Sequence, residues 1–218
     1  MGFFRRDEPQ TETVHRAAER TQTSQPGITS WHCFSAGEHY DPENLGFGSL
    51  IGLDEHLIEP GAGFTSHAHR GVEILSWVLE GALRHQDESG RVEIIEPGSV
   101  LHQSTGSGIG HSESNASTSD PLRLVQLTLL GEVGAPRCVT VAPPVLLPGI
   151  GLLEVLPGKA ELELPSAYLY VTRGAFSIAG NPLEPGDSLR LRATMALAGD
   201  GEILVWTSGT AIKDKSNA

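Results

Sequence analysis

Apolar residues in this chain come in short runs of strand length, and turn-forming residues separate them. From Trp31 onward the pattern hardly varies. LGFGSLIGLDEHLIEPGAGF places Gly or Pro every few residues. VEILSWVLEGALRHQDESGRVEIIEPGSVLHQ reads as strand, turn, strand, turn, strand, punctuated at Glu80-Gly81, Ser89-Gly90 and Pro97-Gly98. Arg123–Leu130 (RLVQLTLL) is a further strand, rich in aliphatic and β-branched residues. A fainter copy follows. AYLYV at 167–171 leads into TRGAFSIAGNPLEPGDSLRL and then EILVW at 202–206. WVLEGALRHQDESGRVEIIEPGSV and YVTRGAFSIAGNPLEPGDSL share the order strand, x-G-A, strand, turn, E-P-G-[SD], which reads as an internal duplication. Strands recurring at about 8–12 residues predict an all-β chain of sandwich or barrel type. CVTVAPPVLLPG, with three prolines, joins the halves. The expected organisation is a flexible tail at 1–15, one β-unit at 16–137, a second at 138–213 and a tail at 214–218.

Composition narrows the class. The 218 residues, 39% hydrophobic, suffice for one large domain or two small ones. With 26 Gly, 14 Pro and 19% charged residues, the composition argues against a long helical bundle. The formal net charge of -12 and the absence of any Lys/Arg run argue against direct nucleic-acid binding, and the acidic balance reads as solubility. MGFFRR at the start does not resemble a signal peptide, and no run of about 18 apolar residues predicts a membrane span. The expectation is a cytoplasmic, reduced protein with Cys33 and Cys138 free, in which the Asn115-Ala116-Ser117 sequon has no role.

The candidate chemistry lies in the first unit. His67 and His69 in SHAHRGVEILSWVLEG stand two apart, so on a strand both rings project from one face. Glu73 has the same parity and shares that face if no bulge intervenes. Downstream, TGSGIGHSESN sets His111 and Glu113 two apart. Three imidazoles and a carboxylate make a mixed N/O site suited to Fe, Mn, Ni, Co, Cu or Zn. All nine histidines lie at or before His111, so only the first unit can hold a histidine-ligated metal. His15, His32, His39, His56, His85 and His102 read as surface or loop residues, with His102 the best placed of them to line a pocket. The Gly106–Gly110 stretch opens no helix and is not a dinucleotide loop; it reads as a tight turn that delivers His111. No Gly-x-Ser-x-Gly elbow or Cys–His nucleophile pair is present, and both cysteines read as strand residues. Phe64, Leu75, Trp77 and Leu101 are candidates for the barrel lining, with the hydrophobic core as the simpler reading of each.

These stretches resemble a known family. Gly61-AGFTS-HAH-RGV-Glu73 is similar to the first cupin motif, although Glu73 to Gly81 is one residue longer than usual. Gly108-Ile-Gly-His111-Ser-Glu-Ser-Asn115 is similar to the end of the second, with Gly106 where proline is common. HCFSAGEHYDPENLGFG at 32–48, HAHRGVEILSWVLEGALRHQDESG at 67–90 and STGSGIGHSES at 104–114 together resemble the pirin family of bicupins, over about residues 16–135. The resemblance implies two facing cupin-type β-barrels in one chain. The N-terminal cupin at 16–137 holds one divalent transition metal, with iron(II) the first expectation. A degenerate C-terminal cupin at 138–213 holds none. Family ligands carry over to His67, His69, His111 and Glu113, with Glu113 also the catalytic base. The general cupin rule would use Glu73 instead, which is kept as the alternative. The implied activity is a quercetin 2,3-dioxygenase-type oxidation, in which O2 opens a flavonol ring with release of carbon monoxide. The implied rivals are a non-enzymatic, metal- and redox-sensing partner of another protein or transcription factor, and a cupin of some other small-molecule chemistry. A monomer is expected, with a small aromatic substrate.

Overall fold

The computed structural model describes residues 12–209. Eighteen strands follow one another, with one turn of 3-10 helix at Ala17–Glu19. In chain order they are β1 Glu12–His15, β2 Thr21–Gln25, β3 Ile28–His32, β4 Leu50–Ile58, β5 Gly63–His69, β6 Val72–Glu80, β7 Leu83–Asp87, β8 Val92–Ile95 and β9 Val100–Ser104. Then come β10 Ile109–Asn115, β11 Leu122–Leu130, β12 Arg137–Val141, β13 Val145–Leu147, β14 Gly151–Leu164, β15 Ala167–Ile178, β16 Asn181–Leu183, β17 Ser188–Leu191 and β18 Met195–Ser208. The all-β expectation holds.

The first barrel closes between two sheets, one ordered β12-β9-β6-β11-β4-β3-β2 and the other β5-β10-β7-β8. The second is built on β1-β17-β15-β18-β14-β13, with β16 on β15. The repeated turn is real. Gly98 between β8 and β9 and Gly186 between β16 and β17 both sit at positive φ, 92° and 86°, which an E-P-G turn needs and glycine supplies without strain.

Strand alternation sorts the apolar residues into three cores. On β11, Leu122 and Leu124 point into the first barrel with Ile58, Val78, Leu83, Ile95 and Leu101. Val125, Leu127 and Leu129 of the same strand point the other way. They pack with Leu75, Trp77, Tyr168, Tyr170, Leu204 and Trp206 in a core shared by the two halves. Leu169, Val171, Phe176, Ile178, Leu189, Ile203 and Val205 fill the second barrel.

Two expected boundaries move. The supposed tail ends in β1, which pairs antiparallel with β17, His15 facing Ser188. An N-terminal strand therefore completes the sheet of the C-terminal half. Residues 1–11 and the expected tail at 214–218 lie outside the described residues. The first unit also runs past 137, because β12 pairs with β9, Cys138 facing Gln103, and its sheet ends only at Val141.

Candidate metal centre

β5 and β10 lie side by side, with His67 opposite His111 and a register shift between His111 and Glu113. The approach is close because residue 63 has no side chain: a Cβ there would sit 2.5 Å from the Glu113 carbonyl oxygen. The glycine turn before β10 works as expected. Gly106, at φ 48°, passes so near the backbone that a Cβ would meet the Gly134 oxygen at 2.3 Å.

This pairing gathers three imidazoles. The ring centroids of His67 and His111 are 4.4 Å apart, those of His67 and His69 4.9 Å, and those of His69 and His111 5.3 Å. One nitrogen from each lies within 4.8 Å of the others. His67 Nδ1 is 2.8 Å from the Thr65 carbonyl, to which it donates, so its Nε2 lone pair is free. His111 is 2% exposed, and its Nε2 is buried with no hydrogen-bond partner. Burial, reinforced by repulsion from His67, His85 and His69, pushes the His111 pKa down to about 3. Burial, then His67, lowers that of His69. Neutral imidazoles are the ligating form.

Glu113 follows His111 on the same strand face but is not one of the three groups within 4.8 Å. It is 3% exposed. Oε2 accepts from Gln126 Nε2 at 3.1 Å, and Gln126 also donates to Ser76 Oγ at 3.0 Å. Oε1 is buried without a partner. Burial raises the Glu113 pKa, against the Gln126 bond and His67. A buried carboxylate oxygen and a buried imidazole nitrogen, both unpartnered, are costly groups that a cation would satisfy. The donor set, three neutral imidazoles with a carboxylate behind them, fits a divalent transition metal.

Glu73 does not share this face. The chain turns at Gly71 (φ 68°), and on β6 the odd residues Leu75 and Trp77 belong to the core between the halves, while Ser76 and Val78 face the barrel. The Glu73 carboxylate accepts from Ser104 Oγ at 2.8 Å and meets His102 Nε2 at 2.6 Å, so His102 pairs with Glu73 rather than lining the pocket. Leu75 and Trp77 are likewise no lining of the first barrel. Leu101 is core, and Phe64 stands beside His67, with centroids 6.4 Å apart.

Two histidines expected on the surface are buried. His56, 6% exposed, bonds Ser30 Oγ at 2.8 Å and meets the Phe64 ring edge-on. His85, 2% exposed, puts Nε2 3.2 Å from His111 Nδ1. Gln103 Nε2 lies 2.8 Å from the same His111 nitrogen and also contacts His85 Nε2. The signal for His85 is parity: it shares a face of β7 with Leu83, an apolar core residue, and sits opposite Glu113.

Comparison with known proteins finds relatives along most of this chain. A Mycobacterium tuberculosis protein named "Putative quercetin 2,3-dioxygenase" is 36% identical, over 94% of this chain and 98% of its own. The Escherichia coli K12 protein named quercetin 2,3-dioxygenase is 40% identical over 55% of this chain and 52% of its own. A crystal structure of the E. coli bacterial pirin YhhW in complex with nickel(II) superposes with a TM-score of 0.80 at 27% identity, covering 89% of this chain and 97% of that one. Among the described residues no helix is long and apolar enough to cross a membrane. The family model described as Pirin matches residues 14–129, the stretch that supplies the whole histidine cluster, and the chain belongs to the pirin family.

Proposed function

We propose that this chain is a metal-dependent dioxygenase that opens flavonol-type aromatic substrates with O2. The observation that carries the reading is the three-histidine group with two buried unpartnered atoms, His111 Nε2 and Glu113 Oε1. The names of the relatives support the substrate class. In this reading His67, His69 and His111 hold the metal and Glu113 is the fourth donor. Iron(II) is the first expectation, and nickel(II) follows from the E. coli structure. The bound metal supplies Lewis acidity at open coordination positions. The protein supplies the rest. Glu113, alternating between ligand and base, takes the proton of the substrate hydroxyl on Oε1 when that atom is not held as a ligand, while Gln126 holds Oε2 in place. The Phe64 and His56 rings give one wall an apolar edge for a flat substrate. Both cysteines are free thiols, which suits the reducing cytoplasm.

The test is aerobic quercetin consumption, with carbon monoxide detection, by protein loaded separately with each candidate metal, beside a His67→Ala variant. Turnover that needs both the metal and His67 supports the enzyme. Absence of turnover with every metal that stays bound overturns it and leaves the metal-dependent protein partner as the reading to pursue.

A further inference from the structure

We infer that Gln103 is a positioning residue: its side-chain amide decides which nitrogen of His111 is free to bind a cation. The inference rests on the three-histidine metal reading and concerns how that site is made ready. Gln103 is 1% exposed on β9, two residues from Leu101 and on the same face, inside the first barrel. One of its amide atoms sits at a junction with two rings, 2.8 Å from His111 Nδ1 and in contact with His85 Nε2, while those two ring nitrogens are 3.2 Å apart.

The proton count at this junction has two solutions. With the amide nitrogen there, Gln103 donates to both rings. His111 then carries its proton on Nε2, and that N–H has no acceptor. Gln103 Oε1 is left buried and unpartnered as well. With the amide turned over, the oxygen at the junction accepts from His111 Nδ1–H and from His85 Nε2–H, using both its lone pairs. The His111 Nε2 lone pair is then open, in the direction that metal-bound histidines normally present once the other nitrogen is held by an acceptor. One half-turn of a single side chain thus gives the oxygen two donors and converts the unpartnered His111 nitrogen into a ligand, while the amide NH2 moves into the buried place the oxygen leaves. Gln103 presents Oε1 to His111 whenever the site is loaded.

The experiment uses the full chain stripped by chelator and titrated with Zn(II) by calorimetry. Wild type is compared with Gln103→Glu, which offers only acceptors, and Gln103→Met, of equal length and offering only a weak sulfur acceptor. Zinc-loaded wild type is examined in parallel by 15N NMR for the position of the His111 proton. We expect Gln103→Glu to bind within a few-fold of wild type and Gln103→Met to bind about 10–100-fold more weakly, with the His111 proton on Nδ1 in the loaded wild type. A merely space-filling role would weaken both variants alike or neither, and that result overturns the inference. So does a His111 proton on Nε2 in the loaded wild type, a readout that needs no variant to fold. Wild type that binds no zinc defeats the three-histidine reading itself and takes the inference with it.

Discussion

The two barrels share a strand order and a turn, yet they use their interiors in opposite ways. The second is filled by aliphatic and aromatic side chains throughout. The first has an apolar core at one end and, at the other, a buried polar cluster of His56, Ser76, His85, Gln103, His111 and Glu113. Burying such groups costs free energy unless each finds a partner. The first barrel therefore holds its polar cluster beside a small apolar core, and it also packs on the core shared by the halves, which includes Tyr168, Tyr170 and Trp206. A duplicated unit need not do two jobs; one copy can be a stable base for the other.

That division can be broken in graded steps. The largest effect should come from His67→Ala and His111→Ala: each loses most of its bound metal, measured by elemental analysis, while circular dichroism stays that of a β protein. Stoichiometric metal in both would dissolve the contrast between the halves. Glu113→Gln should also lose metal, though less completely. Next, Trp206→Ala should lower stability by about 3–5 kcal/mol in urea unfolding, because the indole is 1% exposed in the shared core. Metal affinity should fall with it if the second half supports the first.

A smaller loss is expected at Glu55. Its carboxylate ties the halves together, accepting from Arg20 Nη1 at 2.8 Å, Arg123 Nε at 2.6 Å and Tyr170 Oη. Burial raises its pKa, but the Tyr170 and Arg20 hydrogen bonds and the two guanidinium charges outweigh it and hold the group below its ordinary value. A lowered folded pKa adds stability that is full above the unfolded value, about 4.3, and is lost as pH falls through the folded one. Glu55→Gln should cost about 2 kcal/mol at pH 7, and thermal melts should show the difference from wild type shrinking in acid. The smallest effect on metal should come from Glu73→Gln, since that carboxylate is on the other face of β6 from His67, His69 and His111 and pairs with His102 and Ser104. Metal loss equal to that of Glu113→Gln would show that the two sides of β6 are coupled.

Much of this was readable from residues alone, and the exceptions have physical causes. Alternation along VEILSWVLE and RLVQLTLL, and the repeated E-P-G, suffice for an all-β duplicated chain, because side chains of period two leave a strong trace. The His-x-His pair and the His-x-Glu pair could be placed on two strands, since each lies within one strand. Parity fails between elements. Counting from His69 to Glu73 crosses Arg70-Gly71, where the backbone reverses and the faces no longer correspond. His85 hides for a related reason: LRHQD looks like an exposed polar strand until the barrel closes and His111 and Gln103 come to it from other strands. ETVH carries too little apolar character to announce a strand, because it is an edge that pairs, among the described strands, with β17.

That edge has a consequence for synthesis. Of the described strands β1 is made earliest, and only β18 is made later than its partner β17, so β1 waits for that partner until the second barrel is nearly complete. The last sheet to be completed contains the earliest of the described strands. A sheet fastened in this way closes late, and deleting β1 or breaking the edge of β17 that pairs with it should leave open the same seam.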